Sequence, residues 1–238
     1  MLIFHNGKAF TGLLLGVSFF VVLALFFAPF FGGQSGLKVS DRLFNRLAKG
    51  SSYFVPELSS NLAKFENQEI DVNVEMESAE RAKQAKSLLS KAAPDSVAEG
   101  AVLIVKGNLR GILGAALQDC NAMYLNNGGE LKEKYGMDAK DSMLIWNDIL
   151  NRMAKALQRG ENRHIAQSKM VLAVVTKGIE PAYNFYGIQP DSVRHRAGIT
   201  AFLLVFYLAY TLWWGFGIFF LFEGFGFAMT KSRAKREI

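Results

Sequence analysis

Cysteine and histidine are scarce in this chain. A single Cys, Cys120, among 238 residues excludes an internal disulfide framework and a cysteine-based zinc site. His5, His164 and His195 are scattered, none has a neighbour at metal-ligand or triad spacing, and no C-x-x-C-H occurs, which excludes covalent haem. A glycine-rich dinucleotide loop, a P-loop, H-E-x-x-H, G-x-S-x-G and an EF-hand loop are all missing. Charge is thin as well, at 20% of residues, and the net +6 forms no basic stripe with interleaved aromatics, so a nucleic-acid surface is not indicated. No catalytic residue, cofactor or metal ligand can be nominated, and the chain is not expected to be an enzyme.

Apolar residues, in contrast, are abundant, and they are concentrated at the two ends. Gly198 to Met229 carries one formal charge, Glu223, and is followed by the basic tail Lys231, Arg233, Lys235 and Arg236. Near the N-terminus, Lys8 precedes an apolar run from Ala9 to Phe31. A bilayer core needs about 20 apolar residues in a helix, and both runs are long enough. The first also exceeds the about 7–15 residues of a cleavable signal's apolar region, so an uncleaved signal anchor is expected. A cleaved signal is the alternative, since GGQSG at 32–36 offers small residues.

The resulting division is a short tail (1–8), a first transmembrane helix (9–31), a linker with an interfacial helix (32–50) and an extramembrane domain (51–190). A second transmembrane helix with its juxtamembrane start (191–229) and a basic tail (230–238) complete it. Gly12 and Gly16 in the first span, and Gly217 and Gly224 in the second, give thin faces on which two helices could pair closely. Glycine is also simply common in transmembrane helices. Glu223 is the one acid in either run; Lys8 begins the other span on the same side and is its expected partner, with snorkelling into headgroups the alternative. The tail, placed directly against the membrane, favours cytoplasmic termini and a central domain on the far side, because long loops cross largely regardless of charge.

Between the spans, LKVSDRLFNRLAKG sets Leu37, Leu43, Phe44 and Leu47 against Lys38, Arg42, Arg46 and Lys49, which reads as an amphipathic helix, interfacial or packed on the domain. Residues 69–77 alternate strictly, placing Ile70, Val72, Val74 and Met76 on one face of a strand. Ser78 caps a helix that ends before Pro94. AVLIVKGN at 101–108 is expected to be a buried strand; the competing long helix from Ser96 to Leu125 would carry several destabilising glycines. A helix follows from Leu109 to Leu125 with Cys120 on its apolar stripe, ended by Asn126-Asn127-Gly128-Gly129. The stretch 130–141 reads as a solvated loop and helix start.

Asp141 or Ser142 caps the next helix, in which Trp146, Ile149, Leu150, Met153 and Leu157 form the core stripe and Asp148 pairs with Arg152. A further helix is expected from Glu161 to Gly178, interrupted at Glu180-Pro181, and Asp191-Ser192 caps the last long one.

The whole is a membrane-anchored, helix-rich α+β domain between two transmembrane helices. Its expected role is that of a non-catalytic accessory or scaffold protein of the inner (plasma) membrane with an extracytoplasmic domain. The expected partners are membrane lipids and another membrane or envelope protein, or a second copy of itself. A ligand-sensing or signal-relaying module is the alternative, and a membrane-tethered enzyme the third reading.

Overall fold

The computed structural model describes residues 5–159 and 164–227. The basic tail Lys231, Arg233, Lys235 and Arg236, and the start of the helix expected from Glu161, lie outside the described residues. The chain divides into two compact units. Asn45–Asp191 forms one, and the described residues up to Phe44 and from Ser192 onward form the other.

The flanking unit is built on two long helices, α1 (Asn6–Phe27) and α10 (Ala197–Gly224), each long and apolar enough to cross a membrane. At 1.5 Å per residue they extend about 33 Å and about 42 Å, against a hydrocarbon core of about 30 Å. α1 is offset from the apolar run of 9–31: it starts at Asn6 and stops at Phe27. Pro29 explains the stop, because the residue before a proline is driven out of the helical region, and Ala28 is extended at φ −73°, ψ 153°. A turn bridged between Phe31 and Gln34 follows, with Gly32 and Gly33 at positive φ. α10 begins at Ala197, later than an Asp191-Ser192 cap would require. Ser192 instead accepts from the Arg194 N–H in a separate turn. α2 (Gly36–Ser51) is amphipathic, and the boundary between the units falls within it.

The central unit is mainly helical and holds one small sheet. β1 (Glu69–Glu75), β2 (Val97–Glu99) and β3 (Val102–Asn108) are antiparallel in the order β1-β3-β2. Of the stretch 101–108, Val102–Asn108 is therefore strand rather than part of a long helix, and Ala101 belongs to the turn before it. The short β2, which the sequence pattern does not announce, joins β3 through a turn at Gly100, φ 57°. Ile70, Val74 and Met76 are buried, as the alternation requires, while the intervening acids face solvent.

Around the sheet stand α3 (Val55–Asn61), α4 (Ala79–Leu89), α5 (Leu109–Tyr124), α6 (Gly128–Tyr135), α7 (Ala139–Leu157) and α8 (Ile165–Val174). Ser78 caps α4 by accepting from the Arg81 N–H, and Asn108 caps α5 through Gly111. Two expectations at α7 are corrected. Asp138, not Asp141 or Ser142, is the cap, accepting from the Lys140 N–H at 2.9 Å. Asp148 pairs with Arg81 at 3.7 Å, while Arg152 turns to the carbonyl of Glu75, so tertiary partners displace the local i,i+4 pair.

The loop expected over 130–141 contains α6, ended by Gly136 in the left-handed conformation. Nor does Glu180-Pro181 interrupt the chain's helical path. The π-helical stretch Val175–Ile179 widens the coil, and Pro181 then falls in the first turn of α9 (Glu180–Asn184), where its missing N–H costs nothing. α5 and α7 supply the centre of the core, with Ile112, Leu113, Leu117, Cys120, Trp146, Ile149 and Met153 essentially inaccessible.

Candidate functional site

Three constellations stand out, one in the flanking unit and two in the central one. In the flanking unit α1 and α10 run antiparallel, and glycine sets how closely they approach. A Cβ on Gly12 would stand 2.5 Å from the backbone N of Leu221, and one on Gly224 would run into the backbone of Ala9. Gly217 lies against Leu15 and Gly16, whereas a Cβ on Gly16 itself would meet open space. Three of the four glycines read from the sequence therefore turn their bare face to the partner helix, and Gly16 contributes only backbone.

At the same end, Lys8 Nζ lies 2.9 Å from Glu223 Oε2, and the His5 N–H donates to the Gly224 carbonyl at 3.0 Å. Lys8 thus faces the C-terminal end of α10, where the helix dipole also favours a cation. Towards the other end the seam is aromatic: Phe19 stacks on Tyr210 and tilts against Trp214, with ring centres 4.3 and 4.6 Å away.

In the central unit the chain enters and leaves at one place. The Asp191 N–H donates to the Arg46 carbonyl at 3.0 Å, and the two side chains form an ion pair at 3.6 Å. One turn further along α2, Lys49 is fully buried. Its Nζ donates to Asn126 Oδ1 at 2.7 Å and to the Ile188 carbonyl at 2.6 Å, and lies 5.2 Å from the centre of the Tyr124 ring. Asn126 is held from three sides: Oδ1 also accepts from the Gly187 N–H, and Nδ2 donates to Ile188. It sits at φ 62°, a left-handed conformation that asparagine tolerates better than most residues. Gly50 has no room for a side chain, since a Cβ there would collide with the carbonyl oxygen of Asp191.

Tyr124 closes this neck by donating to the Lys49 carbonyl and stacking on Tyr53, whose hydroxyl donates to Asn121. Among the described residues no carboxylate bonds the Lys49 ammonium, and burial lowers its pKa. Burial raises that of Tyr124, with Tyr53 adding to the shift.

The third constellation is Asp119, 3% exposed on α5. Its carboxylate accepts from Lys134 Nζ at 2.7 Å, the Tyr135 hydroxyl at 2.6 Å and the Trp146 indole N–H at 2.8 Å. A buried carboxylate given three donors, one of them cationic, is a satisfied structural network that ties α5, α6 and α7 together. Burial, and then the bond to Asp119, push the Tyr135 phenol up. Burial pushes the Cys120 thiol up as well, with the neighbouring Asp119 charge second.

None of the neck residues was nominated from sequence. Lys49 read as one more cation on the polar face of α2, and Asn126 as turn punctuation. The only available signal was an Asn at the end of a helix before Asn-Gly-Gly, which predicts the turn but not its distant partners. Among the described residues no group of three or more His, Cys, Asp and Glu stands together to hold a metal ion. Comparison with protein families, curated proteins and solved structures finds no match to this chain.

Proposed function

We propose that this chain is a non-catalytic accessory or scaffold protein of the inner membrane. In this reading α1 and α10 cross the bilayer as an antiparallel hairpin. The central unit is extracytoplasmic, both termini are cytoplasmic, and the exposed surface assembles with another membrane or envelope protein. The reading rests on the stapled neck. Entry and exit of the central unit are locked together by Arg46, Lys49, Asn126 and Asp191, and from each the chain leads on through a turn to one apolar helix. A unit whose entry and exit are stapled to each other, and whose flanking segments lead to a glycine-faced, charge-paired helix pair, suits an anchored, non-catalytic role.

A ligand-relaying role is the second reading, favoured by the same neck: a shift reaching Ile188 through Asn126 would act on both exits at once. Topology is tested by replacing the exposed Asn127 with Cys and labelling intact cells with an impermeant thiol reagent, against a wild type whose single Cys120 is buried. Labelling supports the proposed side, and protection until lysis reverses it. Assembly is tested by native mass after mild solubilisation. A lone 26.4 kDa chain plus detergent, with nothing co-purifying, overturns the scaffold reading.

A further inference from the structure

The outer edge of β1 carries backbone groups without a partner among the described residues, and the cleft beside it holds Arg152, Lys155 and Arg159 along with Glu75 and Asp148. Met76 and Gln68 bond to Ala101 and Leu109, the Met76 N–H donating to one carbonyl and the Leu109 N–H to the Gln68 carbonyl, both at 2.8 Å. In an antiparallel ladder these bonds fix the phase: Ile70, Val72 and Val74 turn their backbone groups towards β3, and Asp71, Asn73 and Glu75 turn theirs away from it. Along that outer side the Glu75 carbonyl accepts from Arg152 Nη1 at 2.5 Å. The N–H and C=O groups of Asp71 and Asn73, and the N–H of Glu75, have no partner among the described residues.

A polar cleft of about 470 Å³ lies against this edge, walled by Asn73 and Glu75 on one side and by Asn151, Arg152, Lys155 and Arg159 on the other. Asp148, at one end, is neutralised by Arg81. Lys155 and Arg159 are exposed, and their side chains have neither an ion pair nor a hydrogen bond among the described residues. They are four residues apart, a rise of about 6 Å along a helix, close to the about 7 Å between alternate residues of an extended chain.

We propose that this edge takes an extended acidic peptide segment of a partner protein by strand addition. Its backbone pairs with Asp71, Asn73 and the N–H of Glu75, and carboxylates at alternate positions lie against Lys155 and Arg159. Main-chain bonds supply the docking and alternate side chains the selectivity. Charged edges usually block pairing. Here Glu69 and Asp71 are exposed and do not line the cleft, and Glu75 is the one β1 acid that does, opposite the cations of α7. The edge therefore selects a strand with acids on the cleft side and basic or neutral polar residues between them. This deepens the scaffold reading by giving the partner's chemistry.

The probe is a synthetic eight-residue peptide alternating Glu with Thr and Lys, titrated onto the full chain in nanodiscs. Binding is followed by fluorescence anisotropy, with hydrogen exchange read at the Asn73 amide. Saturable binding with slowed exchange at Asn73 is expected. N-methylating one alternate set of peptide amides should abolish it, and methylating the other set should leave it intact, because only one set faces β1. Lys155→Glu with Arg159→Glu should weaken binding more than about tenfold, as like charges then meet across the cleft.

No saturation at millimolar peptide, or binding indifferent to both methylation patterns, overturns the proposal. So does equal occupancy by inorganic phosphate without protection at Asn73, which would make the cleft a simple anion site. The methylated peptides decide the matter on wild-type protein even if the double reversal folds poorly. The scaffold reading is judged separately by native mass.

Discussion

Lys49 Nζ lies 2.6 Å from the carbonyl oxygen of Ile188, although the two residues are 139 positions apart in the chain. That bond, with the Asn126 side chain beside it, joins the first turns of the central unit to its last residues. Neither acceptor depends on the lysine alone. Ile188 keeps a donor in Asn126 Nδ2, and Asn126 keeps one in the Gly187 N–H. Lys49→Met should therefore cost little, within about 1 kcal/mol, since it removes a buried charge without orphaning its acceptors. Asn126→Ala removes three bonds at once and leaves alanine at positive φ, so a loss of about 2–4 kcal/mol is expected. Chemical denaturation of the full chain in nanodiscs, followed by tryptophan fluorescence, ranks the two. The reverse order would show that the ammonium, not the amide, holds the neck.

The neck also makes a prediction for pH. Burial depresses the pKa of Lys49, so the unfolded chain holds its proton to higher pH than the folded one. Stability rises with pH wherever the unfolded state binds more protons. Lys49 therefore contributes a gain between its lowered pKa and the usual lysine value of about 10.4. Tyr124, Tyr135 and Cys120 act oppositely: their pKa values are raised, so their stabilisation is complete below the ordinary thiol and phenol values and is lost as pH climbs through the folded ones. Wild type minus Lys49→Met isolates the lysine, and the difference should shift in favour of wild type as pH rises to about 10. A pH-independent difference would mean that Lys49 is neutral throughout or not desolvated.

Asp119 predicts a larger loss. Asp119→Ala strands the Trp146 indole N–H and the Tyr135 hydroxyl beside a new cavity, while Lys134, partly exposed, can reach water. About 3–5 kcal/mol should be lost, comparable to removing the Trp146 side chain itself. Trp146→Phe keeps most of the packing and should lose about 1–3 kcal/mol. Thermal melts of the two variants test this, and an unchanged melting temperature for Asp119→Ala would show that the network does not stabilise the fold.

Cys120 should be inert. It is wholly inaccessible and its thiolate is disfavoured by burial and by Asp119, so a bulky thiol reagent should label only denatured protein. Rapid labelling of native chain would place Cys120 at an opening absent from this core.

Local pattern carries some of these features and not others. The alternation of 69–77, the stripe of α7 and the cap at Ser78 follow from periods and side-chain chemistry within a few residues, and they stand where the pattern puts them. The glycines before and after β3 decided strand over helix through a cost that is also local. What escaped was decided at long range. Asp148 left its helical neighbour for Arg81, Asp119 met two residues from the following helix and one from α7, and Lys49 found an acceptor at the far end of the unit. β2, only three residues long, pairs because β3 is there to receive it. Pro181 ended no helix because a π turn absorbed the mismatch, which no rule about proline alone foresees.

The pairing of α1 with α10 gives the final test, because one helix face distinguishes glycines that look equivalent in the sequence. Gly12 has Leu221 backbone against it and Gly16 has nothing within 4 Å of its missing side chain. Gly12→Ala should force the helices apart, and Gly16→Ala should be silent or slightly stabilising, since alanine favours a helix by about 1 kcal/mol over glycine. The Lys8–Glu223 bridge closes the same end, so separating the helices at Gly12 should also loosen it. The measurement is disulfide trapping between Cys replacements of Lys8 and Glu223 in nanodiscs, in a Cys120→Ala background. Gly12→Ala should slow the crosslink severalfold and Gly16→Ala should leave it unchanged. A double-mutant cycle with Lys8→Gln and Glu223→Gln then measures the bridge itself. About 0.2–1 kcal/mol is expected if the pair stands in water at the interface, and more if lipid excludes water from it. Additive single effects would reduce the two residues to neighbours, leaving the glycine faces as the basis of the hairpin.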